Sequence, residues 1–275
     1  MIIDILWNIL DQLTFFVANV FLLGFIISLV CRIFYSVIGG GVSGRTICYA
    51  TGIIGTPIHE LSHALMCILF GHKIVDINLY NIDLDSGVLG FVSHEYNPRN
   101  PYHILGNYFI GIAPILMNTA VIYLLFSLLL PDTFASVNLT IGELISAGHG
   151  VKDAELYFGI GRGVVDIFKS LFGFTEDSWR FWVFIALTLS IALHMNLSGS
   201  DILSALSSLP ILLGLVIVVN FGLWFFLPVA YEQFVDAVYF GGIYTVFALI
   251  FSISLSIVCL VIGTAVRLLS LLFRG

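Results

Sequence analysis

The stretch TICYATGIIGTPIHELSHALMCILF, Thr46 to Phe70, decides the fold. It is apolar almost throughout, yet it carries His59, Glu60 and His63 near its middle and stops at Gly71. A helix needs about 20 predominantly apolar residues to cross ~30 Å of hydrocarbon, and this run is long enough. The rest of the chain has the same character. Of its 275 residues, 59% are hydrophobic and 10% charged, where a soluble globular protein carries about 25% charged residues. The mean hydropathy of +1.07 agrees. These values exclude a soluble fold and indicate an integral, multi-pass membrane protein in contact with the lipid bilayer.

Further apolar runs extend from about Phe15 to Ile38, Tyr102 to Leu130, Phe181 to Asn196, Asp201 to Leu227 and Ala237 to Phe273. Gly39, Gly40 and Gly41 break the first, and Pro131, Leu197 to Ser200 and Pro228 separate the later ones. The expectation is an all-α polytopic bundle of five to six transmembrane helices. It forms a single membrane-embedded domain, residues 1–275, with a core of about 46–225. Between residues 71 and 101 the pattern changes to alternation, Ile74, Val75, Ile77 and Leu79, then Val88, Leu89, Phe91 and Val92. With Asp83, Asp85, Ser86 and Gly87 between the two halves, this predicts a small β-hairpin at the membrane edge. Glu155 to Phe172 reads as an amphipathic interfacial helix.

Other features are less informative. Asp4 and Asp11 stand where a signal peptide would carry positive charge, so the first apolar run is expected to stay as a membrane helix. Lys and Arg divide six to four across the expected membrane sides and set no orientation. A net charge of −7 gives no reason to expect a nucleic-acid partner. Cys31, Cys48, Cys67 and Cys259 lie in apolar runs without a C-x-x-C pair, which argues against a disulfide framework or zinc knuckle. They read as small buried or lipid-facing residues.

His59-Glu60-Leu61-Ser62-His63 is an H-E-x-x-H pattern. On a helix the two histidines share a face one turn apart, a spacing that lets both imidazoles hold one zinc ion. The glutamate then reaches a water acidified by that ion. Ionisable side chains inside a membrane are costly and mark functional sites; the plain alternative is a polar helix-packing cluster with no metal. Pro57 is placed to kink the helix. A catalytic zinc needs a third protein ligand and an open position. The polar interruption from His194 to Asp201 supplies two candidates. Asp201 is expected to open the next helix, where a carboxylate is favoured; it is the preferred third ligand, although it could serve only as a cap. His194 is the other candidate, as a ligand, a supporting residue or a packing residue. His72 and His103 near helix ends, and His94 and His149 in loops, read as solvated or structural rather than metal-binding, with a place at the edge of the site left open for His94, near Glu95. Asn118, at membrane depth in the run containing Gly111 and Pro114, needs a partner. It is either interhelical glue or a donor to the substrate backbone or a developing oxyanion.

These elements together resemble the site-2 protease family of intramembrane zinc metalloproteases. That family places H-E-x-x-H on one membrane helix, a G-P-x-x-N-like element on the next and a zinc-binding aspartate at the start of a later one. The corresponding residues are His59-Glu60-x-x-His63, Gly111-x-x-Pro114-x-x-x-Asn118 and Asp201. The spacing within the second element is wider than in the family, and Ile202 rather than glycine follows the aspartate. The resemblance implies a compact, divergent bacterial-type member in a bacterial cell membrane. Its expected activity is cleavage of a peptide bond in or beside a membrane-spanning segment of a membrane-protein or peptide substrate. His59, His63 and Asp201 would bind Zn2+, Glu60 would be the base and Asn118 would assist catalysis. Two other readings are a catalytically inactive relative that binds membrane proteins, and a metal-ion transporter.

Overall fold

In a computed structural model, residues 2–38, 42–82, 88–146, 154–173 and 179–272 are described. The helices are α1 (Ile2–Leu13), α2 (Asn19–Ile38), α3 (Val42–Leu69), α4 (Pro101–Leu129), α5 (Pro131–Ser146), α6 (Ala154–Gly173), α7 (Trp179–Leu193), α8 (Gly199–Phe226) and α9 (Pro228–Leu272). A two-stranded sheet of β1 (Lys73–Asn78) and β2 (Phe91–Glu95) follows α3. Five stretches are long and apolar enough to span a membrane: Ile2–Ile38, Thr46–Leu69, Pro101–Leu129, Gly199–Phe226 and Pro228–Leu269; α7 is a shorter apolar helix. The protein is thus an all-α polytopic membrane bundle carrying a small hairpin.

α4 lies at the centre, packed on α3, α7 and α8, while α2 packs along α9. Asn100 caps α4 by accepting from the Tyr102 N–H, and Pro101 sits where its missing N–H costs nothing. One buried cluster runs from Phe15 to Leu255. Outward faces are apolar, as with Leu203, Val218 and Phe225 on α8, and polar groups turn inward. Ser252 and Ser256 of α9 are fully buried and donate to the carbonyls of Ala248 and Ser252, one turn back.

Several element bounds differ from those read in the apolar runs. The first membrane helix begins at Ile2 rather than Phe15, because α1 continues into α2 through one π-helical turn, Thr14–Ala18. Asp4, Asn8, Asp11 and Gln12 make this stretch polar in the sequence, and Gln12 shows how such a group is accommodated. It exchanges two 2.9 Å hydrogen bonds with Asn220 of α8, so two buried amides satisfy each other inside the bundle. The region expected to be a loop before residue 155 contains α5. α6 matches the expected amphipathic helix, and its stripe of Leu156, Ile160, Val164 and Ile167 is buried, with α5 and α9 as its neighbours. α9 begins at Pro228, nine residues before the expected Ala237. The glycine break at 39–41, the turn at 83–87, His149 and Phe273 lie outside the described residues.

The hairpin is antiparallel, with Ile77 facing Val92 and Ile74 facing His94, and an irregularity between Ile74 and Asp76. β2 sits a few residues later than the alternation suggests. Gly90 lies against α3, where an added Cβ would come 2.8 Å from Glu60 Cγ and 2.9 Å from Thr56 Cγ2. Close approach of backbone to helix occupies the first residues of that apolar run, and strand pairing starts after it.

Candidate metal centre

α3 places His59 and His63 on one face, with ring centroids 5.1 Å apart. Each ring is oriented by a backbone carbonyl. His59 Nδ1 lies 2.8 Å from the His194 carbonyl oxygen, and His63 Nδ1 lies 2.8 Å from that of Ile110. A carbonyl only accepts, so in both neutral rings Nδ1 carries the proton and Nε2 keeps its lone pair. Metal-binding histidines are fixed in this way by an outer partner.

The third group arrives from α8. Ser198 caps that helix by accepting from the Asp201 N–H at 3.1 Å, and Asp201 Oδ2 accepts from the Ser198 N–H at 2.8 Å. This reciprocal cap fixes the carboxylate. The other oxygen, Oδ1, is left 3.6 Å from His63 Nε2. Capping and ligation, which compete as explanations of Asp201 in the sequence, are therefore shared between its two oxygens. Donor atoms of His59, His63 and Asp201 all lie within 4.8 Å of one another. Metal–nitrogen and metal–oxygen bonds of about 2.0–2.2 Å imply donor separations of about 3.4 Å in a tetrahedral site, and the 3.6 Å between His63 Nε2 and Asp201 Oδ1 is close to that.

Glycines bring these elements together. Gly55, one turn before His59, faces the end of α7, where a Cβ would lie 2.5 Å from the Ser190 carbonyl oxygen and 2.7 Å from His194 Nδ1. Gly111 of α4 faces the start of α8, where a Cβ would lie 2.4 Å from the Asp201 carbonyl oxygen. The three donors border a cleft of about 500 Å³, which Glu60, Phe91, His94 and Ser204 also line. Glu60 is buried on α3 beside the donors, and β2 forms one wall.

No protein-family model, curated protein or solved structure matches this chain. What can be said of the centre therefore comes from its own residues. The structure brings together His59, Glu60, His63 and Asp201. It does not bring His194's ring to the donors: its Nδ1 faces the Ser190 carbonyl at 3.0 Å, and the residue's contribution is its own carbonyl, which orients His59. Asn118 is also absent from the cleft. It is fully buried on α4, eight residues and about 12 Å along the axis from Ile110, with neither amide atom hydrogen-bonded among the described residues. The expected assignment to substrate or oxyanion contact thus has no geometric support. Motif reading alone does not reach the Ile110 and His194 carbonyls, because a backbone group has no residue signature. Gly55, four residues before His59, is a visible hint of close approach on that face.

Proposed function

We propose that the protein is a zinc-dependent intramembrane endopeptidase of site-2 protease type. The observation that carries this reading is the convergence of two Nε2 lone pairs and one carboxylate oxygen, beside a buried glutamate, on a cleft inside a membrane bundle. His59, His63 and Asp201 are the residues that hold the ion. Bound there, zinc supplies Lewis-acid polarisation of water and carbonyl.

Glu60 takes the proton from the attacking water as its oxygen bonds to the scissile carbonyl carbon. It then delivers that proton to the amine as the C–N bond breaks. The carbonyls of Ile110 and His194 hold the two imidazoles in one tautomer. The Ser198 cap keeps the Asp201 carboxylate pointed at the same place. The edge of β2 that is not paired with β1 among the described residues accepts an extended substrate segment by strand addition, after a helical substrate has locally unwound.

The test is metal content. Purified protein is expected to bind zinc, and His59→Ala with His63→Ala is expected to lose one ion per chain. Unchanged metal content in the double variant would sink the reading. The rival reading is a metal-ion transporter; what favours the protease over it is the buried glutamate beside the donors of His59, His63 and Asp201. Zinc uptake into vesicles that persists in Glu60→Gln would support transport instead.

A further inference from the structure

A second group of metal-binding atoms lies where α3 ends. Gly71, with φ of 71°, adopts the left-handed conformation that closes the helix. Its N–H donates to the Ile68 carbonyl at 3.2 Å, and the His72 N–H donates to the Cys67 carbonyl at 2.8 Å. These two bonds form a Schellman closure, which folds residue 72 back over residue 67. The hairpin then returns His94 opposite Ile74, and the Nδ1 atoms of His72 and His94 face each other at 3.0 Å. Cys67 is fully buried, unpaired with any other cysteine, and its Sγ completes a set of three donor atoms within 4.8 Å of one another.

The tautomer of His72 is set from outside the group. Its Nε2 lies 2.8 Å from the His103 carbonyl oxygen, so that nitrogen donates and Nδ1 presents a lone pair toward His94. Gly106 lets α4 close over this corner; a Cβ there would lie 2.5 Å from Phe70 Cβ and 3.0 Å from His72 Nε2.

We infer that Cys67, His72 and His94 form a second site for a zinc-type divalent cation, one thiolate and two imidazoles with a fourth position left for another donor. Zinc–sulfur and zinc–nitrogen bonds of about 2.3 and 2.0–2.1 Å require donor separations of about 3.3–3.6 Å; the two Nδ1 atoms stand at 3.0 Å, and the three donor atoms lie within 4.8 Å of one another. Binding releases the Cys67 thiol proton to solvent and moves the His94 proton from Nδ1 to Nε2, so that both facing Nδ1 atoms present lone pairs. The site shares no residue with His59, His63 and Asp201. It ties the end of α3 to β2, the strand that walls the cleft, and so acts as a clasp on the hairpin. The simpler state is a plain hydrogen bond from His94 to His72 with no ion.

The experiment uses the full chain in detergent, loaded with zinc or cobalt(II) and freed of excess metal. Wild type is expected to hold two zinc ions per chain, and Cys67→Ala, His94→Ala and His59→Ala/His63→Ala one each. Cobalt-loaded wild type and His59→Ala/His63→Ala should show thiolate-to-cobalt charge transfer in the near ultraviolet, and Cys67→Ala should not. Absence of that band from folded, cobalt-loaded His59→Ala/His63→Ala overturns the inference without any change at Cys67. An ion count that falls only in His59→Ala/His63→Ala removes this site and leaves the protease reading intact. A count that falls only in Cys67→Ala and His94→Ala establishes this site and removes the other.

Discussion

Replacing Gly111 with alanine should damage the metal centre without touching a ligand. The added Cβ would lie 2.4 Å from the Asp201 carbonyl oxygen, 2.9 Å from Ala205 Cβ and 3.1 Å from the Ala205 nitrogen. Comfortable carbon contacts begin near about 3.5 Å, so the first turn of α8 must retreat by about 1 Å. Two of the three obstructing atoms are backbone, and no rotamer change relieves them. The retreating residue is the one whose Oδ1 stands 3.6 Å from His63 Nε2. Overpacking of this kind costs about 1–3 kcal/mol, and a displacement of about 1 Å at a reacting centre costs about 10²-fold in rate. Zinc affinity by chelator competition, melting in detergent and cleavage rate should all fall. Gly142→Ala on α5 is the control, because its Cβ would meet nothing within 4 Å. A Gly111→Ala protein that binds zinc and cleaves as wild type does would refute the claim that close α4–α8 contact positions Asp201.

Other consequences follow from the same geometry. Ser198→Ala removes the acceptor for the Asp201 N–H and should cost about 1 kcal/mol of stability, read by calorimetry; the Ser198 N–H that holds the carboxylate is backbone and remains, so zinc affinity by chelator competition should change less than about 10-fold. His194→Ala should keep its zinc, because the carbonyl that orients His59 remains; loss of the ion would make the His194 ring a ligand after all. Gln12→Leu and Asn220→Leu, combined in a double-mutant cycle of detergent unfolding, should show a coupling of about 1 kcal/mol; no coupling would mean that the reciprocal amide pair does not hold α1 to α8.

The membrane class and most of the spans are legible because apolar runs and their Gly or Pro breaks act locally. α1 is not, because Asp4, Asn8, Asp11 and Gln12 interrupt its apolar pattern; Gln12 is satisfied by Asn220, 208 residues away. His59, Glu60 and His63 are legible for the same local reason, since one helix carries all three. Asp201 is marked as a candidate by its position, but only tertiary structure shows that one oxygen caps α8 while the other faces His63. Cys67, His72 and His94 share no spacing signature: two are joined by a helix closure and the third arrives through strand pairing, so their proximity exists only after folding. Asn118 shows the opposite failure. A buried amide in a membrane helix suggests chemistry, yet helix geometry carries it two turns away from the cleft.

The most direct test of the protease reading compares zinc-loaded wild type with zinc-loaded Glu60→Gln, each reconstituted in lipid vesicles with a panel of single-pass membrane proteins and assayed by mass spectrometry for new termini within or beside the spans. The account predicts cleavage by wild type, and in Glu60→Gln full zinc occupancy with cleavage reduced by about 10²–10⁴-fold, the usual scale for losing a positioned acid–base group. Cleavage at wild-type rates by Glu60→Gln, or none by fully zinc-loaded wild type across the panel, would contradict it.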